Sequence, residues 1–353
     1  MIIYWFFFTV SAFFLITDNK NKKSDYFFKP FFYFLLLIFI GFRHEIGGDW
    51  DNYIEVYESI TLRDVIAQNF KSDFAYNILL FICKNLNLGI YGVNTICGAI
   101  VLFSVHLICS LNKNYWICFL ILLPYLILVV STGYTRQSVS IALSIIGIYY
   151  LIKDDKYFQN YLYCAFYILL ALLFHKSAII MLIFIIPFLN LYVIALGFIF
   201  SLLSLGFLLE YFQAEVRRIM DQYIYINMIS RGAILRSAVI LPSLVFHFLA
   251  SQYKIYTRNE RKIFNIFSIL VILFLILIFI NPLTILDRFA LYLLPISAIL
   301  YSKFAYVLVD ELNIIIYKIV IILFVLFQMF VWFHFSVHKS YWVPYKSLIF
   351  NYL

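Results

Sequence analysis

From IIYWFFFTVSAFFLI, which begins at Ile2, to NIIIYKIVIILFVLFQMFVWF, which ends at Phe333, the sequence runs through apolar tracts closed by short polar stretches. There are about eleven to thirteen of them, each near the roughly 17–25 residues a helix needs to cross a hydrocarbon layer. A backbone in lipid has no water to bond to, so such tracts must be α-helices that satisfy their own hydrogen bonds. The expectation is an all-α, polytopic integral membrane protein with about 11–13 transmembrane helices, in which residues 1–353 form a single transmembrane domain. Two stretches are too polar for the pattern, residues 43–75 and 210–237, and these are expected as loops or segments outside the membrane.

With 65% hydrophobic and 12% charged residues the chain has no soluble core to fold around, and its formal charge of +8 does not mark a nucleic-acid module. No nucleic-acid partner is expected. The five cysteines, Cys83, Cys97, Cys109, Cys118 and Cys164, are scattered through apolar tracts without metal-ligand or disulfide spacing, and read as small core residues. The first tract lacks a basic residue before it and a small-residue cleavage site, so it reads as a span rather than a removed signal.

Charge orients the tracts. Lys20, Lys22, Lys23 and Lys29 follow the first span and place that loop in the cytoplasm by the positive-inside rule. Traced onward, KIYTRNERK (Lys254 to Lys262) is also cytoplasmic, provided FAYNILLFICKNLNLG (Phe74 to Gly89) is a half-buried external helix rather than a span. Its Lys84, Asn85 and Asn87 favour that reading. The basic residues then sort by type: lysines dominate the inner loops, whereas Arg43, Arg63, Arg136, Arg217, Arg218, Arg231, Arg236 and Arg288 lie outside. Orientation needs only positive charge; an outer excess of planar, forked guanidinium groups suits bidentate binding of phosphate.

Six stretches carry chemistry. FRHEIGGDWDNY (Phe42 to Tyr53) places Arg43, Glu45, Asp49 and Tyr53 directly behind a greasy run. TGYTRQSVSIALSIIG opens a helix with Arg136, below which Ser140, Ser144 and Gly147 form a small face fit for tight packing. ALLFHKSAIIML interrupts an apolar tract with His175. EYFQAEVRRIMDQYIYINMISRGAILRS interleaves Arg231 and Arg236 with Tyr223 and Tyr225, suited to stacking on sugar rings or to an interfacial helix. NPLTILDRFALYLLP adds Arg288, and HKSYWVPYKSLIFNYL is an aromatic, basic tail that reads as an interfacial anchor or a cover over a lipid head group.

These residues resemble the EpsG family, which belongs with the Wzy-type O-antigen and exopolysaccharide polymerases. Arg43, Gly47, Asp49 and Tyr53 spell its R-x-x-x-G-x-D-x-x-x-Y signature, TRQSVSIALSIIGIYYLIKDDKYF resembles its R-Q-x-x-A/S segment, and LLFHKSAII its F-H-x-S/T-A segment. Arg288 before Tyr292 also fits, and the likeness runs clearly from about Ile40 to Pro187. The resemblance implies a GT-C-like polymerase architecture with periplasmic loops in the bacterial inner membrane. It implies a substrate, an undecaprenyl-pyrophosphate-linked oligosaccharide, and transfer of the growing chain onto the next lipid-linked repeat at the periplasmic face.

Such a reaction needs charge stabilisation on a departing pyrophosphate and a base for the attacking hydroxyl. Arg136 and Arg288 are the first choice for the pyrophosphate, with Arg43, Arg231 and Arg236 as further clamps. Asp49, Glu45 and His175, in that order, are the candidate bases, Asp49 having a competing role as a helix cap. Tyr53, Tyr223 and Tyr225 are the expected sugar contacts. No cofactor and no dedicated metal site is spelled, and the partners expected are the lipid-linked oligosaccharide, membrane lipids and a chain-length regulator. The alternatives are an O-antigen ligase or other lipid-linked glycosyltransferase and, from a different class, a flippase or transporter, for which internal repeats would be expected and none is found.

Overall fold

The computed structural model describes residues 1–17, 22–67, 73–153, 158–197, 199, 202, 204, 231–280 and 284–351. Its helices are α1 (Ile2–Thr17), α2 (Lys22–Gly41), α3 (Trp50–Ser59), α4 (Leu62–Ala67), α5 (Phe74–Asn85), α6 (Gly89–Ser110), α7 (Tyr115–Leu122), α8 (Ser131–Gly133), α9 (Thr135–Lys153) and α10 (Phe158–Phe174). After 3₁₀ turns at Lys176–Phe184 and Ile186–Phe188 come α11 (Arg231–Ser251), α12 (Arg258–Ile280), α13 (Thr284–Phe304) and α14 (Glu311–Phe335). Among the described residues there is no strand, only an isolated bridge between Arg43 and Ser347.

Among the described residues five stretches are long and apolar enough to cross a membrane: Gly89–Ser110, Tyr115–Gly133, Thr135–Lys153, Arg258–Ile280 and Glu311–Phe335. Shorter apolar helices at Ile2–Thr17, Phe27–Gly41, Gln159–Phe174, Lys176–Phe188 and Arg236–Ser251 accompany them. The chain is a multi-pass helical membrane protein. By contrast Phe74–Asn85 has 12 residues, about 18 Å of helix against a hydrocarbon layer near 30 Å, and fits a half-buried element better than a span.

Burial divides the helices into a centre and a periphery. The hydrophobic window of Tyr115–Gly133 is 100% buried and that of Thr135–Lys153 83%, whereas those of α12 and α14 are 33% buried. The outer pair turns large apolar side chains outward, Phe279, Ile269, Phe327 and Leu323 among them, as helices facing lipid do. Within Tyr115–Gly133 the stretch Leu123–Val130 is wound as a π-helix with Pro124 in its first turn, a bulge in the central span. The small face of α9 does what its spacing predicts: Ser140 and Ser144 are buried, and a side chain at Gly147 would press on the Cys164 carbonyl of α10 at 3.2 Å. Close approach of backbones replaces the hydrophobic drive that lipid removes.

The ends of the helices are tied separately. At one end Asn259 donates to the Leu151 carbonyl at 2.9 Å, Lys303 pairs with Glu260 at 2.7 Å, and Ser302 donates to the Asn114 carbonyl at 2.8 Å. At the other end, where α2 and α10 finish and α9 and α13 begin, the tail after α14 folds back over the loop that follows α2. His44 and Leu348 donate backbone N–H groups to Lys346 and Phe42, and Gly47 donates to Tyr341. Trp342 is 1% exposed; its Nε1 donates to Thr132 Oγ1 at 2.9 Å and its carbonyl accepts from Tyr4 at 2.7 Å. Tyr345 stacks on Phe39. The tail expected as an anchor or head-group cover is here a packed element.

Two glycines make this packing possible. Gly47 has φ +99° and lies against Gly133, which in turn lies against the Trp342 ring so closely that a methyl group would collide with it. Gly133→Ala is expected to destabilise the fold by about 1–3 kcal/mol, the usual cost of overpacking, measured as a lower unfolding temperature in detergent. An unchanged temperature would show that Trp342 can move aside freely.

Candidate active site

The three sequence stretches around Asp49, Arg136 and His175 meet at the end of the bundle that the tail closes. Arg136 stands at the start of α9 and donates through Nη1 to Asp73 Oδ2 at 2.6 Å, with its side chain 32% and that of Asp73 15% exposed. The guanidinium lies over the Tyr53 ring, 5.4 Å from its centroid. With these two partners the Arg136 side chain remains partly exposed. Gln137, the next residue, donates to the Arg288 carbonyl at 3.1 Å and so docks the first turn of α13 on the first turn of α9. That contact sets Arg288, exposed, beside Arg136.

Asp49 and Asp73 both feel these arginines. Burial raises the Asp49 carboxyl above the ordinary carboxylate value, against the pull of Arg136 and Arg288. The same balance raises Asp73, with Lys176 and Arg288 as weaker cationic neighbours than Arg136. Asp49 occupies the N-cap position of α3, yet its side chain makes no capping hydrogen bond. The competing structural role is therefore not used, and the half-buried carboxylate is left facing two cations. His175, in the turn after α10, is half-buried; its pKa is pulled down to about 3 by burial first and then by Arg288, Arg136 and Lys176. It is a neutral imidazole at any ordinary pH.

Several expected site residues lie elsewhere. Arg43 is 1% exposed; Nη1 donates to the Ile40 carbonyl at 2.9 Å and Nη2 to Thr135 Oγ1 at 2.6 Å. It pins the signature loop to the start of α9 instead of reaching a ligand. Glu45 is exposed, with φ +51°, and pairs with Lys346 of the tail and with His44 at 3.7 Å. Those contacts lower its pKa, the hydrogen bond from Lys346 most of all, which makes it a poor base. Arg236 is joined through Nε and Nη2 to the carboxylate of Asp287 and lies over Tyr125 at 5.5 Å, so its fork is already occupied by a buried partner. Tyr53 is 5% exposed and supports Arg136 where a sugar contact was expected. Tyr223, Tyr225 and the Arg231 side chain lie outside the described residues.

Asp73 is the site residue that the sequence reading passed over. Its only sign was an acidic residue at the entry to the FAYNILLF helix, whose N-cap it occupies without bonding its side chain there. Among the described residues no group of three or more His, Cys, Asp or Glu is placed to hold a metal ion.

What the arrangement offers is two arginines at the mouth of a helical bundle, two carboxylates that burial makes more basic, and a neutral histidine. The chain belongs to the EpsG family, whose model matches residues 26–347. EpsG is a family of Wzy-type polymerases, and a polysaccharide polymerase-type function follows in general terms. No curated protein and no solved structure matches the chain.

Proposed function

We propose that the protein polymerises the repeat units of an O-antigen or related exopolysaccharide on a polyprenyl-pyrophosphate carrier, undecaprenyl pyrophosphate in a bacterial inner membrane, with the site at the periplasmic face. The observation that carries this reading is the convergence of Asp49 with Arg136 and Arg288, residues from three distant stretches, at one end of the bundle. The acceptor hydroxyl attacks the anomeric carbon of the donor chain, and the bond from that carbon to the pyrophosphate oxygen breaks. Asp49 takes the hydroxyl proton. The carrier pyrophosphate leaves with the bonding pair, its charge met by Arg136 and Arg288 acting as preorganised donors. Asp73 holds one side of the Arg136 fork so that the other is aimed before substrate arrives.

Deletion and complementation, with surface glycans run on a gel, test this. Loss of the ladder on deletion, leaving a single repeat on its acceptor, and its return with the gene are expected; glycans unchanged by deletion would sink the proposal. A one-step transfer product in place of a ladder would instead indicate a ligase.

The pH profile follows from the site. A base works when ionised, and burial raises the Asp49 carboxyl above its ordinary 3.8. The rate is therefore expected to fall on the acid side, with a midpoint above that value, and to be fully present at higher pH. His175, held near 3, stays neutral throughout and adds no limb of its own. Initial rates of the purified protein between pH 4 and 8 check it; a flat profile would remove a carboxylate base.

A further inference from the structure

The turn that carries Asp49 is flanked by two tyrosines that the proposed chemistry leaves unused. Gly47 packs its backbone on Gly133, whose next residue is Tyr134, and gives its N–H to the Tyr341 carbonyl at 2.8 Å. One indole joins the two rings: the centroid of Trp342 is 6.0 Å from that of Tyr134 and 6.4 Å from that of Tyr341. Neither tyrosine hydroxyl makes a hydrogen bond among the described residues. Tyr341 is 50% exposed, yet its backbone is fixed by the Gly47 bond and by its own N–H, which donates to the His338 carbonyl at 3.1 Å. His338 stacks on the ring at 6.2 Å and leaves that half of the residue open. The space over Gly48 is open too. A side-chain carbon at that position would meet, within 4 Å, a single atom of the described residues, Cδ2 of Tyr341 at 3.8 Å. Tyr134 is half-buried, with Arg236, Asp49, Asp287 and Arg288 as charged neighbours; burial raises its phenol above the ordinary 10.0, so it stays a protonated donor.

We infer that Tyr341 and Tyr134 form a saccharide subsite over Gly48, in which the Tyr341 ring stacks on the C–H face of a pyranose and the Tyr134 hydroxyl donates to the same oligosaccharide beside Asp49. A pyranose presents C–H groups on its face and hydroxyls around its edge; a firmly held aromatic ring matches the face and an O–H donor the edge. An interfacial anchor would need neither an open niche beside the ring nor a backbone bond to the turn that carries Asp49. The two residues fill the place in which Tyr53 was expected, whose face rests on Arg136. They determine which sugar is held and take no part in bond making. That the sugar belongs to the repeat unit rests on the function proposed above.

The probe is a set of short oligosaccharides cut by mild acid from the surface polysaccharide of the host cell, titrated into the full-length protein in detergent and followed by saturation-transfer NMR. The wild type is expected to bind them and to pass saturation to pyranose C–H protons. Tyr341→Leu keeps the backbone bonds and the apolar bulk but not the aromatic face, and is expected to raise Kd roughly tenfold. Tyr341→Phe and Tyr341→Trp restore the face and should bind as the wild type does, which separates stacking from fold. Tyr134→Phe keeps the ring beside Trp342 and is expected to raise Kd roughly fivefold, the worth of one hydrogen bond. A wild type that ignores the oligosaccharides, or a Tyr341→Leu protein that binds them equally well, overturns the subsite; an unchanged Kd in Tyr134→Phe removes Tyr134 from it. Binding is read without turnover, so glycans unchanged by deletion would sink the polymerase and leave the subsite standing. A ladder that depends on the gene, beside a protein that ignores the oligosaccharides, would sink the subsite alone.

Discussion

Asp49→Asn is expected to lower polymer formation by about 10²–10⁴-fold, the range a general base contributes, with the protein still present in the membrane at the wild-type level. The substitution separates two roles that one aspartate at a helix start can play. Asparagine caps a helix nearly as well as aspartate but is no base. In this fold the Asp49 side chain makes no cap bond to α3, so even that partial loss has nothing to act on. The carboxylate is instead pressed by burial toward a more basic value, against the opposite pull of Arg136 and Arg288. Glycan ladders beside an immunoblot give the answer, and a normal ladder from the variant would remove Asp49 from the chemistry.

Arg136→Lys should cost about 10²–10³-fold, the scale of losing one preorganised donor to a developing charge, although the charge is kept. Lysine is a point charge on a flexible stem; it cannot bond Asp73 with one side of a planar fork and present the other to a phosphate. It also loses the flat face that rests on Tyr53. Asp73 would still have a cation in reach, so the variant is not burdened with an unpaired buried carboxylate, and a loss of activity is not confused with a loss of fold. Full activity in Arg136→Lys would mean that net charge, not geometry, serves the leaving group.

The membrane class was readable from tract length and hydropathy because lipid admits few backbone solutions, and the family signature marked Asp49, Arg136 and His175 as a set. In the fold Asp49 and His175 both lie within the electrostatic reach of Arg136 and Arg288. What spacing could not show was which arginine faces in and which faces out. Arg43 and Arg136 look alike in the sequence, but Arg43 finds its partner in Thr135, 92 positions away, and is closed off. Arg236 meets Asp287 across 51 positions. Asp73 went unnoticed for the same reason: an isolated aspartate before an apolar helix has no meaning until Arg136 comes to it from 63 positions on. The tyrosines of the signature misled in another way, since Tyr53 has the chemistry to stack on a sugar and spends its face on a guanidinium.

The tail that returns over the signature loop also sets an order of events. Lys346 reaches Glu45 across 301 residues, and Tyr345 reaches Phe39 across 306. During synthesis, the loop bearing Asp49 leaves the ribosome long before the segment that locks it, at roughly 5–20 residues per second a matter of tens of seconds. Through that interval Gly47 has no Tyr341 carbonyl to bond and Gly133 no indole to cover it. A chain cut before Tyr341 would thus lack the contacts that fasten its signature loop.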